Sequence, residues 1–271
     1  MTNKHKIFAS GKSGTIGRHL PQEVGYLELD LLNKVLENRF EPDSDLIHLA
    51  GIVGNTAVNS DAGKSQKINV DGTVWLAERF LAQSSGVFYY ISSSHVYAPS
   101  ESKISESHPI KPNNIYAEQK LRAEIELKNL FATIPNRLSI IRVFSVLDWD
   151  TSEETLGGGI RKLADKDEQY VMNFTEDIRD FLTPRKIADV LYRIVLNGHC
   201  PQVLNLCSGK ATTVGYAARK MLFESNFDIP EERILGGFSS NPIVVGDNSE
   251  LMNILPKLDL SWEPGKRNHS N

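Results

Sequence analysis

Tyr116 and Lys120 stand four residues apart in the stretch NIYAEQKL, a spacing that places both side chains on one face of a helix. A lysine ammonium beside a phenol favours the phenolate, so the pair predicts a tyrosine pKa lowered from about 10 toward neutrality. Such a tyrosine can give or take a proton at physiological pH. With a serine hydroxyl beside it, it can hold the oxygen of a carbonyl while hydride moves to or from the carbon. We therefore expect Tyr116 and Lys120 to be catalytic.

Position separates Tyr116 from Tyr216, which has the same spacing to a following Lys220. A serine cluster, Ser92 to Ser94, ends the apolar run GVFYYI a short distance before Tyr116. Parallel sheets bind ligands at the carboxyl ends of their strands. The cluster therefore favours Tyr116, whereas Tyr216 lies in a loosely patterned C-terminal part.

Three glycines, at positions 11, 14 and 17, directly follow the first predicted strand and precede a predicted helix. Glycines allow a tight turn and a close approach of the backbone to a pyrophosphate, and the N–H groups of a helix start attract the anion. The pattern GKS, present here and at Gly63, indicates a P-loop only with glycine at position 6 or 58, where lysine and valine stand. We expect a dinucleotide to bind the loop of Gly11, Lys12, Ser13, Gly14, Thr15, Ile16 and Gly17.

Short apolar segments alternate with amphipathic ones in the first half of the chain. The segments KIFAS, YLELDL, DLIHLAG, VFYYISS and LSIIRVFS predict strands, and helical spacing predicts helices in INVDGTVWLAERFLAQ and NIYAEQKLRAEIELKNLF. Alternation of strand and helix is typical of a parallel, doubly wound sheet. Only one strand and one helix, in YLELDLLNKVLENRF, fit between the glycine loop and DLIHLAG.

The pattern loosens after about residue 145, where LDWDTSEETLGGG predicts a loop. A helix in PRKIADVLYRIVLNG, ending at Gly198, a strand in QVLNLCSG and a helix in TTVGYAARKMLF follow. We predict an α/β fold, a Rossmann-type doubly wound parallel sheet with a smaller C-terminal substrate-binding domain. The Rossmann domain is expected to comprise residues 1–145 and about 180–207, and the smaller domain residues 146–179 and 208–271.

The composition is that of an ordinary soluble globular protein, with 271 residues, 40% of them hydrophobic, 24% charged and a net charge of -4. It has no basic footprint for nucleic acid, and no apolar run approaches the ~18 residues of a membrane span. The N-terminus lacks the apolar region of a signal peptide. Cys200 and Cys207 are the only cysteines and suit a reducing compartment. We therefore expect a cytoplasmic protein that binds neither nucleic acid nor membrane and holds no metal.

Seven short motifs follow one another in a recognisable order. They are SGKSGTIG at 10–17, HLAG at 48–51, INVDGT at 68–73, YISSSHVY at 90–97, YAEQK at 116–120, IRDF at 178–181 and VLNLCSG at 203–209. Together they resemble an extended short-chain dehydrogenase/reductase, and within that family a NAD(P)-dependent sugar-nucleotide epimerase, dehydratase or reductase. The resemblance covers nearly the whole chain and implies NAD or NADP as cofactor and a nucleotide-diphosphate sugar as substrate.

The resemblance also assigns roles to single residues. Ser93, counted back from the Tyr97 that ends its motif, corresponds to the catalytic serine or threonine. Tyr116 corresponds to the proton donor, and Lys120 to the lysine that tunes it and binds the nicotinamide ribose. Further cofactor contacts are expected from Leu49, Ala50 and Gly51, and from Asp30 and Leu31 near the adenine. Expected substrate contacts are Ser94, Ser145 and Arg179.

The two residues after Ser93 are informative. In the acid dehydratases of the family they are Asp and Glu, whereas here they are Ser94 and His95. Elimination of water is therefore not expected. A histidine with a pKa near 6.5 either moves a proton beside a keto group or only hydrogen-bonds substrate or backbone, and both roles stay open for His95.

Two further residues have alternative roles. Arg179 either contacts the diphosphate of the substrate or forms a buried ion pair with Asp177 or Asp180. Asn69 either supports its helix or contacts the cofactor.

The choice between NAD and NADP also stays open. The segment that normally distinguishes a ribose hydroxyl from a 2′-phosphate is missing from this chain. Lys12 and Arg18 can meet a phosphate, or remain solvated as most surface cations do.

The first expectation is a reductase of a keto-sugar nucleotide. An NDP-sugar 4-epimerase with tightly bound NAD is the close alternative. A non-catalytic NAD(P)-binding regulatory protein is the third, although it has no need of Ser93, Tyr116 and Lys120 together. Family members dimerise through helices that here lie around 73–83 and 116–131, so a homodimer is expected.

Overall fold

The structure is a computed structural model that describes residues 6–267. The strands are β1 (Ile7–Ser10), β2 (Gly25–Tyr26), β3 (Leu29–Asp30), β4 (Val35–Leu36), β5 (Asp45–His48), β6 (Phe88–Ser93), β7 (Leu138–Val143), β8 (Ser145–Val146), β9 (Ile178–Arg179), β10 (Phe181–Leu182), β11 (Val203–Leu206), β12 (Thr212–Thr213) and β13 (Ile243–Val244). The α-helices are α1 (Asn55–Ser60), α2 (Ala62–Gln66), α3 (Thr73–Leu81), α4 (Ile115–Leu130), α5 (Leu156–Ala164), α6 (Pro184–Asn197), α7 (Val214–Glu224) and α8 (Ser249–Ile254). A π-helical segment, Lys67–Gly72, leads into α3.

A six-stranded sheet with the order β11-β7-β6-β5-β1-β2 forms the centre, and every pair in it is parallel. All six residues of β6 and all six of β7 are buried, as expected for parallel strands covered on both faces. Helix α6 packs on one face through residues such as Leu191, and α3 and α4 pack on the other through residues such as Phe80 and Leu127. The predicted Rossmann-type α/β fold is confirmed.

Local signals fix the two long helices. The Asn114 side chain caps α4 by accepting a hydrogen bond from the Ala117 amide at 2.9 Å. Helix α6 begins with a Thr183 cap and Pro184 in its first turn, and it ends at Gly198, whose φ of 68° is left-handed. The predicted end of this helix at Gly198 is therefore confirmed.

The predicted helix after the glycine loop is wrong. Only one turn of 3₁₀-helix, Gly17–His19, follows the loop. Pro21 has no amide hydrogen to continue a helix and forces the preceding residue toward an extended conformation, and Leu20 has φ −64° and ψ 147°. The chain therefore reaches the short strand β2 without a crossover α-helix.

The strand predicted in YLELDLLNKVLENRF is divided into two short strands, and the helix predicted after it is wrong. Gly25–Tyr26 joins the central sheet, whereas Leu29–Asp30 pairs antiparallel with Val35–Leu36 in a separate hairpin. The Asp30 carboxylate accepts hydrogen bonds from the amide and the side chain of Asn33, which stabilises the turn instead of a helix.

A second apolar core gathers residues from the rest of the chain, among them Trp149, Phe181, Met221 and Trp262. This second core lies among or near helices α5 and α7 and the small sheets β8-β10 and β12-β9-β13. The loop predicted to extend to the glycine triplet ends earlier, because α5 begins at Leu156. A Cβ on any glycine of the triplet, 157–159, would lie 2.1 Å from a neighbouring oxygen, so the glycines allow close packing around this helix. The division into two domains stays a prediction.

Within residues 6–267, no helix is both long enough and apolar enough to cross a bilayer.

Candidate active site

Tyr116 and Lys120 lie one turn apart on the buried face of α4, next to the carboxyl end of β6. Each residue is only 7% exposed. The Lys120 ammonium donates a hydrogen bond to the carbonyl oxygen of Ile91 at 2.8 Å and lies 4.9 Å from the centre of the Tyr90 ring. These contacts hold the lysine between helix and strand, at the edge where a parallel sheet binds ligands.

Burial sets the protonation of both groups. It raises the pKa of Tyr116 to about 12, and a hydrogen bond with the Ser93 hydroxyl only partly opposes this. It lowers the pKa of Lys120 to about 8, while the negative charge of Glu124 acts in the opposite direction. The expected lowering of the Tyr116 pKa by Lys120 is therefore wrong for this structure, because desolvation of the phenolate dominates. At neutral pH, Tyr116 holds its proton and Lys120 is charged.

Ser93 is the last residue of β6 and precedes a single 3₁₀ turn, Ser94–Val96. Its Oγ accepts a hydrogen bond from the His95 amide at 3.2 Å and is also hydrogen-bonded to the Tyr116 side chain. The structure thus brings Ser93 and Tyr116 together, in the arrangement that holding one carbonyl oxygen requires.

His95 stands beside Tyr116. The centres of the His95 and Tyr116 rings are 6.0 Å apart, with an angle of 85° between their planes. Part of the residue is open to solvent, but the surrounding protein desolvates the imidazole, and this desolvation and the positive charge of Arg179 lower its pKa. The ring is therefore neutral at physiological pH and can accept a hydrogen bond or a proton.

The ion pair that was one of the alternatives for Arg179 is present, with Asp177 as the partner. The guanidinium donates to Asp177 Oδ2 at 2.7 Å and to the carbonyl oxygens of Ile178 and Pro242 at 3.0 and 2.9 Å. Asp180 instead accepts hydrogen bonds from the backbone and hydroxyl of Ser208. Contact of Arg179 with substrate stays a prediction.

Ser94 and Ser145 are the other predicted substrate contacts, and each lies at the end of a strand. Ser94 follows β6 and is buried, whereas Ser145 begins β8, is half-buried and donates its amide to the Asp180 carbonyl at 3.0 Å. Their contact with substrate also stays a prediction.

The glycine loop is folded tightly on itself. Gly11 has a left-handed φ of 77°, and a Cβ there would lie 2.9 Å from the Ala50 amide nitrogen. A Cβ on Gly17 would lie 2.0 Å from the Gly11 carbonyl oxygen. Side chains at these two positions would therefore displace backbone atoms, which explains why both are glycine.

The same loop offers backbone donors. Within the described residues, the amides of Ser13, Thr15 and Ile16 form no hydrogen bond. Consecutive unpaired amides beside a glycine turn form a concave site for an anion. The residues present therefore fit the pyrophosphate of a dinucleotide.

A buried hydrogen-bond chain through Ser10, His48 and Thr73 supports the loop. The Thr73 hydroxyl donates to the Asn69 carbonyl at 2.9 Å, so it accepts from His48 Nε2 at 2.9 Å. His48 Nδ1 then accepts from Ser10 Oγ at 2.8 Å, and Ser10 accepts from the two amides that follow His48, each at 3.0 Å. Burial and the charge of Lys120 lower the pKa of His48 to about 3, so the ring stays neutral in one tautomer.

The sequence alone did not single out Ser10, His48 or Thr73 as supports of the loop. Ser10 and His48 stand at the ends of two predicted strands, and this position is the one signal that pairs them. Their separation along the chain hides the contact.

The side chain of Asn69 is fully used within the protein. It accepts from the Ile52 amide at 2.7 Å and donates to the Ile52 carbonyl and to Gln119 Oε1, both at 2.9 Å. The structure therefore supports the first of its two alternatives, support of the helix and of the loop after β5.

Four residues were predicted to contact the adenine or a phosphate of the cofactor. Asp30 is exposed in the hairpin turn and Leu31 is buried, so their contact with adenine stays a prediction. The Lys12 ammonium lies 4.8 Å from the centre of the Tyr26 ring. Arg18 forms an ion pair with Asp150 and is not simply solvated.

A glycine cradle with free amides, together with a serine, a tyrosine and a lysine at the carboxyl edge of a parallel sheet, is typical of NAD(P)-dependent enzymes of the short-chain dehydrogenase/reductase type. Residues 10–207 match the model of the NAD dependent epimerase/dehydratase family. The chain belongs to this family. The predicted family, its enzymatic character and the nicotinamide cofactor are thereby confirmed.

Individual relatives span nearly the whole chain. A GDP-6-deoxy-D-talose 4-dehydrogenase of Aggregatibacter actinomycetemcomitans is 26% identical over 275 residues, covering 92% of this chain and 91% of the relative. The structure of RMD from Pseudomonas aeruginosa, complexed with NADPH, is 23% identical with a TM-score of 0.80 and coverages of 97% and 94%. A UDP-N-acetylglucosamine 4-epimerase from Methanobrevibacter ruminantium M1 is 19% identical with a TM-score of 0.79 and coverages of 94% and 93%. These structures show the shared fold.

Proposed function

We propose that this protein is an NADPH-dependent reductase of a keto group in a nucleotide-diphosphate sugar. One observation carries the proposal: Tyr116 is hydrogen-bonded with Ser93, and burial raises its pKa to about 12, so it is a proton donor at neutral pH. A group that keeps its proton suits the reduction of a carbonyl to an alcohol. An assay of NADPH oxidation against a panel of keto-sugar nucleotides tests it.

The bound nicotinamide dinucleotide would supply hydride to the carbonyl carbon. Ser93 and Tyr116 hold the carbonyl oxygen by hydrogen bonds, which polarises the carbonyl. Tyr116 passes its proton to this oxygen, so the product is a hydroxyl group. The Lys120 ammonium stabilises the phenolate left behind until a proton returns from solvent.

One relative supports a GDP-linked sugar that carries its keto group at C4. The Aggregatibacter relative is named as a dehydrogenase acting at C4 of a GDP-linked 6-deoxy-sugar, and oxidation there is the reverse of the reduction proposed here. Ser94 and His95 leave Ser93 without the neighbouring carboxylates of a dehydratase. The keto group is therefore expected to arise on another enzyme that eliminates water from the sugar.

A 4-epimerase that keeps NAD bound is the second candidate, and one contact favours it. The Asp150 carbonyl oxygen accepts a hydrogen bond from Arg18, and its carboxylate pairs with His19 at 2.7 Å, so a loop before α5 is attached to the end of the glycine loop. Such a contact would slow release of a dinucleotide. Tightly bound NAD and conversion without added reductant would establish this candidate.

The preference for NADPH rests on Lys12. The strand β2 ends on Tyr26, and the Lys12 ammonium lies over the ring of this residue. A cation at this place suits a 2′-phosphate. The neighbouring structure of RMD was determined with NADPH.

Replacing Lys12 by alanine is expected to raise the KM for NADPH by about 10-fold and to leave the KM for NADH nearly unchanged, because one charge-assisted contact is lost. Steady-state kinetics with both cofactors measures the change. Lys64→Ala, in the second GKS sequence, is the control and should change neither value. An equal increase for both cofactors would contradict the role of Lys12.

We also propose a homodimer through α3 and α4. Ile125 on α4 is 49% exposed and offers an apolar contact, and the exposed Glu118 and Arg122 lie on the same helix. Light scattering at micromolar concentration is expected to give twice the 30.3 kDa of one chain, and a monomer would contradict the proposal.

The cytoplasmic location is proposed from the two thiols, Cys200 and Cys207, which are both free.

A further inference from the structure

A buried ion pair between Glu124 and Arg142 lies one helical turn beyond Lys120. Tyr116, Lys120 and Glu124 follow one another at intervals of four residues along the inner face of α4. The Arg142 guanidinium donates to both oxygens of the Glu124 carboxylate, at 3.0 and 2.6 Å. Glu124 is 1% exposed and Arg142 is 3% exposed.

Glu124 connects three elements at the site. Ser92 Oγ donates to Glu124 Oε1 at 2.5 Å, and Ser92 and Arg142 are paired residues on the neighbouring strands β6 and β7. Ser92 also immediately precedes Ser93. One carboxylate on α4 therefore contacts the end of the strand that carries the catalytic serine, one turn away from the catalytic lysine.

Further contacts hold the arginine. Its guanidinium lies 4.7 Å from the centre of the Tyr97 ring, and the Tyr97 hydroxyl donates to Asn205 Oδ1 at 2.7 Å. Asn205 is on β11, the next strand of the sheet. The ion pair is thus fixed on every side, as a buried pair with satisfied hydrogen bonds must be.

We propose that Glu124 is a positioning residue that supplies the negative charge one turn along α4 from the buried Lys120 ammonium and so keeps Lys120 charged beside Tyr116. The mechanistic part rests on the proposed function, since it takes Lys120 as the partner of the Tyr116 phenolate. Ser92 and Arg142 both donate hydrogen bonds to the carboxylate in the core, and the carboxylate lies one helical turn from Lys120.

The groups around Lys120 explain why an anion is needed. From β6 it meets the Ile91 carbonyl and the Tyr90 ring, and from β5 the neutral His48 lies within electrostatic reach. From α4 it faces Tyr116, which is protonated. Burial lowers the pKa of Lys120, and the charge of Glu124 is what opposes this. Arg142 on β7 lies beyond the carboxylate and would act on Lys120 with the opposite sign.

The sign of each effect yields a test that a merely structural pair would fail. Glu124→Gln removes the anion and leaves Arg142 unbalanced, so the pKa of Lys120 should fall by about one pH unit. Arg142→Met leaves the carboxylate unbalanced, so the pKa should rise. Loss of structure alone would destabilise both variants without shifting the pKa in opposite directions.

The pKa is measured directly by NMR titration of lysine labelled at Cε, in the cofactor-free protein, with Lys120→Arg to assign the resonance. Opposite shifts in the two variants support the proposal, and shifts of one sign or none overturn it. If either single variant does not fold, Glu124→Asp and the neutral double variant Glu124→Gln with Arg142→Met replace them. The first should keep the wild-type pKa and the second should lower it; an unchanged pKa in the double variant overturns the proposal.

The pH dependence of reduction separates this inference from the proposed function. Proton donation by Tyr116 needs the charged lysine, so the rate should fall as pH rises through the pKa of Lys120, and this fall should shift with each variant. If the NMR pKa shifts as expected but the rate profile does not follow, the proposed function of Lys120 fails and the role of Glu124 in its charge stands.

Discussion

Replacing Tyr116 by phenylalanine is expected to lower kcat for reduction of the keto-sugar nucleotide by about 10³-fold, within the range that general acid catalysis contributes. The phenyl ring keeps the packing of a residue that is only 7% exposed, so the fold and the cofactor site should persist. What disappears is the one group beside Ser93 that can deliver a proton to the developing alkoxide. Ser93 alone can still polarise the carbonyl, which accounts for residual activity.

The chain supplies a matched control for this variant. Tyr216 stands four residues before Lys220, as Tyr116 does before Lys120, but it is 58% exposed on α7. Tyr216→Phe should leave kcat unchanged. Full turnover in Tyr116→Phe, with NADPH affinity intact in both variants, would remove Tyr116 from the mechanism and favour a non-catalytic, regulatory protein.

Gly17→Ala is expected to weaken NADPH binding by at least about 100-fold and to destabilise the fold by about 1–3 kcal/mol. Its Cβ would lie 2.0 Å from the Gly11 carbonyl oxygen and 3.2 Å from Lys12 Cα, both backbone atoms of the loop itself. A flexible side chain could move aside, but the backbone can give way only by opening the loop. The amides of Ser13 and Thr15 would then leave the positions that a pyrophosphate requires.

Quenching of intrinsic fluorescence measures the affinity, and thermal unfolding followed by circular dichroism measures the stability. Gly63→Ala is the control, since its Cβ would meet its nearest neighbour, Asp61 Oδ1, at an ordinary 3.7 Å. NADPH binding by Gly17→Ala within twofold of the wild type would show that the loop does not hold the cofactor.

The parts of the fold that rest on local signals could be predicted from the sequence. Apolar runs such as VFYYISS form buried parallel strands because both faces are covered, and Asn114 and Gly198 mark helix ends by their own chemistry. The spacing of Tyr116 and Lys120 was enough to place them on one face of α4.

The predictions from sequence are wrong where a single residue or a specific side-chain contact determines the local structure. Pro21 ends the first helix after a single turn, and the Asp30–Asn33 contact turns a helix-like pattern into a hairpin. A pKa depends on burial, which the spacing of residues does not reveal. The pKa of Tyr116 is therefore raised, although the neighbouring lysine predicts a decrease.

Contacts between distant residues account for the remaining omissions. His48 and Ser10 meet across two strands, and Glu124 meets Arg142 between a helix and a strand. Apart from the position of Ser10 and His48 at the ends of two strands, nothing in the local sequence predicts these contacts.

The most direct test of the central claim is a single progress curve. Purified protein, first analysed for bound dinucleotide, is mixed with a GDP-linked 4-keto-6-deoxy-sugar and NADPH, and the loss of reduced nicotinamide is followed together with the product. The account predicts one NADPH consumed for each hydroxyl group formed, and no reaction until NADPH is added. Protein that carries NAD from purification and converts one sugar nucleotide into its C4 epimer without added NADPH would contradict it.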